Sequence, residues 1–355
     1  MASSAIHFCT ERDLPELMER FADWYRHNPR LQERAYFDWQ FRDGPTRLAD
    51  AEYDFLILRN AADEITGCLG FAGFEFRVGD EVRLGGWTHN WMAPQQGDAG
   101  LALLWRFMEL VENRFLLRLN EKSGAVVKLL RVPMLGTMPR WWAAIDAELV
   151  TAHFNIHQQE DRQHLTQSAE AFRRAIGDDE VHRLDCFATE DEFDLGRFGG
   201  ATGLARRTGR YLNWRYRDIP NHNYQFLRTE TGVGVYRLEQ VIGTDVSVIR
   251  LLEWTFDDRE TRSALATVLA DTATQNPVLI DFHTTFAPLG DMLRRCGFVP
   301  QSMTATPMPD LFRPTFHSGG YAVAIDLPPH RQARSVAFDK WYITAGDSDI
   351  DRVKL

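Results

Sequence analysis

The apolar positions along the chain change period in a fixed order, and that order occurs twice. Residues 54–59 and 224–228 read as β-strands, each just after a block rich in aromatic side chains. A turn and a second strand follow at 65–71 and 232–238, where glycine between β-formers signals a hairpin. A further strand then runs into tryptophan, at 87–92 and 248–254. Helical spacing comes next. Leu101, Leu104, Trp105, Met108, Val111 and Phe115 predict a helix near 100–115, and Leu265, Val268 and Leu269 predict one near 258–275. Residues 125–130 and 277–282 are apolar enough for buried strands. Leu-Gly-x-Met then recurs at Leu135–Met138 and Leu289–Met292, each leading to a short predicted helix, around Trp141-Trp142 and around 293–295.

The aromatic blocks match residue by residue. Tyr36, Trp39, Arg42, Asp43 and Pro45 recur as Tyr211, Trp214, Arg217, Asp218 and Pro220. One block match in a long chain is weak; collinear elements behind both blocks make it a duplication. The expectation is an α/β (α+β layered) protein of two tandem domains, each a mixed, mostly antiparallel sheet flanked by helices. The first spans 1–170 and the second 206–355, with 171–205 as connector. The repeated tryptophans and arginines read as packing residues.

Composition fits two cores: 355 residues, 44% hydrophobic and 25% charged. A net charge of -10 argues against a nucleic-acid binder working by phosphate neutralisation. The N-terminal residues lack a basic start and apolar run, and no window reaches membrane-span length, so a cytoplasmic protein without membrane insertion is expected. Cys9, Cys68, Cys186 and Cys296 show no paired spacing, which favours reduced thiols over a disulfide scaffold or zinc site. Asp347, Asp349 and Asp351 mimic the start of a calcium loop, but Arg352 stands where glycine is needed, so no metal site is expected. The simpler reading is an exposed acidic tail anchored in the second domain by Trp341 and Tyr342.

The order of elements resembles the GNAT superfamily of acyl-CoA-dependent N-acyltransferases. The resemblance implies that coenzyme A seats its pyrophosphate on the N-terminus of the helix following the splayed central strand. Unpaired N–H groups and the helix dipole favour anions there. In the first copy the strand end and loop supply Trp91, Met92, Gln95, Gln96, Gly97, Ala99, Gly100 and Leu101, with small residues that admit close approach of a phosphate. Arginine is missing at the loop start, and Asp98 is an awkward neighbour. Apart from the resemblance, an ordinary glycine turn capping a helix explains this segment. The second copy has Asp257, Asp258 and Glu260 there, which repel a pyrophosphate.

Residues 308–314 and 341–352 are similar to the tail of bacterial tandem-GNAT sugar N-acyltransferases. That similarity implies a nucleotide-linked amino sugar as acceptor and a role in surface polysaccharide biosynthesis, by direct attack of the amine on the thioester. The candidate base is His89, on the strand bordering both substrates. Asp281 and His283, two apart on a strand and so on one face, form a second candidate pair, and Glu253 a third. A histidine or carboxylate satisfied in the core explains each equally simply. Two other readings stand beside the enzyme: a non-catalytic tandem scaffold or ligand-binding protein, and an acyltransferase on a peptide or lipid-linked acceptor.

Overall fold

The computed structural model describes residues 5–25, 29–94, 98–119, 121–154, 156–176, 181–189, 191–193, 203–221, 223–241, 243–306, 308, 321–327 and 336–347. The first half supplies strands β1 (Ala5–Phe8), β2 (Phe55–Arg59), β3 (Ile65–Val78), β4 (Glu81–Met92), β5 (Arg114–Leu119) and β6 (Met134–Met138). Its helices are α1 (Leu14–Trp24), α2 (Arg34–Phe41), α3 (Ala99–Leu110) and α4 (Glu121–Leu129). Next come β7 (Arg140–Ala144), α5 (Ala147–His153), α6 (Gln159–Ala175), β8 (His182–Leu184), β9 (Glu192–Phe193), β10 (Gly203–Ala205) and β11 (Arg207–Thr208). Helix α7 (Gly209–Leu212) continues as a π-helical turn, Asn213–Arg217. The second half adds β12 (Gln225–Arg228), β13 (Val233–Gln240), β14 (Ser247–Trp254), α8 (Asp258–Thr272), β15 (Pro277–His283), α9 (Ala287–Arg295) and β16 (Val299–Pro300). Strands β17 (Tyr321–Asp326) and β18 (Trp341–Tyr342) follow.

Two large sheets share one strand order. The first runs β1-β2-β3-β4-β5-β17-β6 and the second β8-β12-β13-β14-β15-β7-β16. Numbered by position within each half, both read one to five, then seven, then six. The seventh strands are exchanged. Strand β7 leaves the first half and pairs antiparallel with β15, Asp281 opposite Trp142 and His283 opposite Arg140. Strand β17 leaves the second half and pairs with β5, Asp326 opposite Arg114. Each exchanged strand is pinned by charge: Arg114 to Asp326, and Arg140 to Asp281 at 2.8 Å. Gly290 of α9 permits the exchange, because a Cβ there would stand 2.4 Å from the Trp141 ring. Strand β10 pairs with β3 on one side and β18 on the other, adding chain from the linker and the tail to the first sheet.

The alternation of β2 shows how the layers form. Phe55 and Ile57 face α1 and α2, in a core with Leu14, Leu17 and Phe21. Leu56 and Leu58 face the other way, onto Leu103, Leu104 and Phe107 of α3. Among the described residues no helix is long and apolar enough to cross a membrane.

Three expectations are corrected. Residues 125–130 lie in and just beyond α4 and are not a buried strand: Val127 is buried while Lys128 and Leu129 are exposed, a helical and not a continuous pattern. The strand is β5, whose Phe115 happened to continue the spacing of α3; Val111 ends that helix in extended backbone. Trp141 and Trp142 belong to β7, not a helix. The Leu-Gly-x-Met echo therefore has no common structure, since Leu135–Met138 lie in β6 and Leu289–Met292 in α9.

The aromatic blocks meet where the halves meet. Trp39 and Trp214 stack with centroids 5.3 Å apart. Each indole N–H donates to the other's backbone carbonyl, Trp39 to Trp214 at 2.7 Å and Trp214 to Trp39 at 3.0 Å. This reciprocal pair marks a local two-fold relation between the copies.

Candidate functional site

Strand β4 carries the site. It pairs in parallel with β5 only at Gly86–Arg114 and Trp87–Phe115, after which the two strands part. On its other edge, against β3, Gly70 faces His89 but Cys68 faces Met92. Asn90 and Trp91 thus oppose Leu69 alone, a β-bulge. Asn90 takes the left-handed conformation this requires (φ 46°), which asparagine tolerates better than most residues. The bulge and the parting of the strands together open a gap in the sheet at this end of β4.

Helix α3 starts just beyond. The indole N–H of Trp91 donates to the carbonyl of Gly100 at 2.9 Å, fixing strand end to helix start. Asp98 occupies the N-cap without a side-chain cap bond, and no acid follows in the first turn. Met92, Ala99 and Leu101 line this junction on the described chain; Gln95, Gln96 and Gly97 lie outside the described residues. A coenzyme pyrophosphate fits a helix start whose first N–H groups are not consumed by a side chain.

Trp87 and His89 are two apart on β4 and share the face turned toward α2 and the second half. His89 is 7% exposed and meets the Phe41 ring edge-on at 6.3 Å. Between the halves lies a small pocket, with room for about one water molecule. Trp39, Trp87, Tyr211 and Trp214 wall it; Gln40, His89, Arg215 and Asp347 are its polar groups. The tail residue Asp347 is 3% exposed. It accepts from Arg207 Nη2 at 2.7 Å, the Thr344 N–H at 2.8 Å and the Tyr211 hydroxyl at 3.3 Å. The tail is therefore not an exposed acidic appendage up to this point. Nor is its anchor confined to one half: Trp341 packs on Phe76 and Phe115, Tyr342 on Phe286.

The counterpart place in the second half is filled by its own side chains. Strand β14 carries the same bulge, with Glu253 facing Val235 and Leu251 facing Tyr236. Glu253 is fully buried and accepts from Arg207 Nε at 2.9 Å, Tyr216 at 2.8 Å and Tyr342 at 3.0 Å. Burial pushes its carboxyl up, against the pull of Arg207. Tail backbone completes the plug, since a Cβ on Gly346 would lie 1.8 Å from the Tyr216 hydroxyl. Helix α8 begins with a capping box: Glu260 N–H donates to Asp257 at 2.8 Å, and Asp257 N–H to Glu260 at 2.9 Å.

Asp281 and His283 share a face of β15, both buried, and neither lines the pocket. Asp281 is gripped by Arg250 (Nε 3.0 Å, Nη2 2.8 Å) and by Arg140 Nε at 2.9 Å. Burial alone would raise its pKa, but the two guanidiniums outweigh burial and hold it below the usual carboxylate range. His89 and the start of α3 thus lie at the same end of β4, His89 on the face toward α2 and Trp91 tied to α3, while Glu253, Asp281 and His283 lie in the second sheet. Sequence reading gave no role to Gln40, Trp87 and Arg207 and placed Asp347 in an exposed tail. Gln40 beside Trp39, inside the repeated block, was the one available signal.

No protein-family model and no curated protein sequence matches the chain. Among solved structures it is similar to a conserved protein of unknown function from Enterococcus faecalis V583, a probable N-acyltransferase, with TM-score 0.52 and 10% identity over 84% of this chain and 70% of that one. A putative acetyltransferase from Pyrococcus horikoshii gives TM-score 0.49 and 12% identity, over 96% and 92%. A GCN5-related N-acetyltransferase from Kribbella flavida gives 0.48 and 13%, over 92% and 71%. At such identities the first of these likenesses is one of fold, that of two mixed sheets with one strand order, each flanked by helices.

Proposed function

We propose that the chain is an acyl-CoA-dependent N-acyltransferase whose first half binds the coenzyme and whose second half completes the acceptor site. The observation that carries this reading is the gap where β4 leaves β5, bulged at Asn90 and opening beside the uncapped start of α3. Acyl-CoA supplies an activated acyl group there as a thioester. Residues Trp91 to Leu101, by way of Gln95, Gln96, Gly97, Ala99 and Gly100, hold its phosphate end, and backbone N–H groups near Asn90–Met92 polarise the acyl carbonyl. His89, on the inner face, takes the proton released by the attacking amine. We take the amine to belong to an amino sugar, nucleotide-linked as the tail similarity implies. The division of labour is 1–170 for coenzyme, 171–205 as connector and 206–355 for the acceptor side, save that β7 and β17 each sit in the other half's sheet.

The test is a screen of acyl-CoAs against nucleotide-linked amino sugars, following release of free thiol. Turnover with at least one pair supports the reading. Coenzyme that neither stabilises the protein thermally at millimolar concentration nor releases thiol with any acceptor removes it.

A further inference from the structure

Six large apolar side chains stand exposed among the described residues, and the topology gathers four of them toward one end of the first sheet: Val82 (46%), Leu84 (51%), Trp105 (51%) and Leu129 (72%). Helices α3 and α4 cover the same face of that sheet, through Leu103, Leu104 and Phe107 and through Val127. A Cβ on Gly86 would meet Val111 and Phe107 there, and alternation along β4 puts Leu84 and Val82 on the same face. Helix α3, with Trp105 in its latter half, leads from the end of β4 to the start of β5 beside Gly86. Asn113, just past α3, donates to the Leu84 carbonyl at 2.7 Å. Strands β5 and β6 are both antiparallel to β17, so they run the same way, and α4 between them returns to the level where β5 begins. The outer part of the β3–β4 hairpin and the ends of both helices therefore meet at one end of the sheet, opposite the start of α3.

The uncommitted charge at this end is mostly positive. Lys122, Lys128 and Arg131 are exposed along α4 and just past it, and among the described residues no ion pair holds them. The nearby acids Glu81, Glu109 and Asp326 are held by Arg83, Arg106 and Arg114, and Glu112 has a partner too, which leaves Asp80 at the hairpin tip. The helix dipole accounts for cations at the end of α4, but not for a leucine 72% exposed between them. We infer that this end of the first half docks on an anionic membrane surface, its four apolar side chains entering the headgroup layer and the α4 cations facing acidic lipids. Charge selects this occupant, because a second copy would bring the same cations face to face. Side chains that stand out from three separate elements also suit a yielding headgroup layer better than a shaped protein groove. The contact is superficial, since among the described residues no helix is long and apolar enough to cross. It leaves the start of α3 turned the other way, and it stands apart from the acyl-transfer reading.

The experiment is vesicle flotation of the full chain at low salt, with phosphatidylcholine alone and with an equal mixture of phosphatidylcholine and phosphatidylglycerol. The anionic vesicles should bind about tenfold or more tightly, and added salt should erase the difference. Leu129→Glu should lower affinity for the anionic vesicles about fivefold or more. Lys128→Gln combined with Arg131→Asn should bring it down about tenfold, toward the value for neutral vesicles. Asparagine suits position 131, where the backbone is left-handed (φ 58°). Equal binding to both vesicles, or binding to neither, would overturn the proposal. So would anionic-vesicle affinity unchanged in Leu129→Glu, which would leave charge alone at work. Soluble polyglutamate bound as tightly as the anionic vesicles would assign the surface to an acidic protein instead. A dimer in sedimentation velocity that Leu129→Glu dissociates would assign it to a second copy. The vesicle comparison on the unaltered chain decides the matter even if a variant fails to fold.

Discussion

Helices α3 and α8 begin at corresponding points of the two halves, each after a bulged central strand, yet their first turns are opposites. The Asp98 side chain makes no cap bond at the start of α3, and Trp91 ties Gly100 by its carbonyl, not by an N–H. At α8 the box of Asp257 and Glu260 consumes N–H groups and places carboxylates where an anion would sit. The interior repeats the contrast. Beside His89 there is a pocket; beside Glu253 there are Arg207, Tyr216 and Tyr342. One fold position can thus stay open or close on itself. A few side chains make the difference, because helix-start N–H groups and bulged strands must find partners somewhere.

The largest expected effect comes from opening the plug. Arg207→Met leaves Glu253 and Asp347 as two buried carboxylates without their cation. Removing one partner of a buried ion pair costs about 3–5 kcal/mol, and this site lies at the upper end of that range. Urea unfolding should show that loss. Stability equal to the parent's would mean that the second half does not depend on being filled.

Asp281→Asn tests the exchanged strand rather than the plug, with a loss toward the lower end of about 3–5 kcal/mol because the amide oxygen still accepts. It also carries a pH signature. The folded pKa of Asp281 is depressed below its unfolded value, so its stabilisation is present above the unfolded pKa of ~3.9 and is lost as pH falls through the folded value. The parent should lose stability on acidification below about pH 4, and the variant should show a shallower acid limb over the same interval. Parallel acid limbs would mean that Arg140 and Arg250 do not hold this carboxylate.

The helix starts are compared by coenzyme binding. Ligand at a hundred times its dissociation constant stabilises the native state by about 2.7 kcal/mol. Gly100→Glu should abolish that stabilisation while the fold survives, because a Cβ at Gly100 meets Trp91 at 3.4 Å, an ordinary contact. Asp258→Lys, at the start of α8, should leave it unchanged. The reverse outcome, with Asp258 controlling binding, would exchange the roles of the two halves.

Much of this was legible in the chain. The duplication, the hairpins, β4, β14, α8 and the contrast between helix starts follow from period and from acids placed at one helix N-terminus. What escaped is what period alone does not encode. Phe115 extends the spacing of α3 across a turn, so α3 and β5 merge on paper, and Ala125–Val127 look like the strand that β5 already is. A one-sided helix of nine residues and a five-residue buried strand are hard to tell apart in so short an apolar run. Strand exchange is invisible for a different reason: β7 and β17 have the patterns of ordinary buried strands, and nothing local says which sheet receives them. Asp347 was read as surface because acids usually are. Its burial depends on Arg207, far away in sequence, which has no motif of its own.

The smallest effect probes the seam where the copies meet. Trp39 and Trp214 each donate an indole hydrogen bond to the other's carbonyl and stack between. Replacing either by phenylalanine keeps an aromatic ring and removes one bond, so each single change should cost about 1 kcal/mol. The informative quantity is the coupling. If the reciprocal pair acts as one clasp, the first substitution already loosens the geometry that the second bond needs. The double variant then costs less than the two singles together, by about 0.5 kcal/mol or more. Strict additivity would mean that the two bonds are independent and that the local symmetry is inherited without being used. A coupled clasp would make the seam one cooperative contact, holding Gln40, next to Trp39, and Arg215, next to Trp214, in register across the pocket they both line.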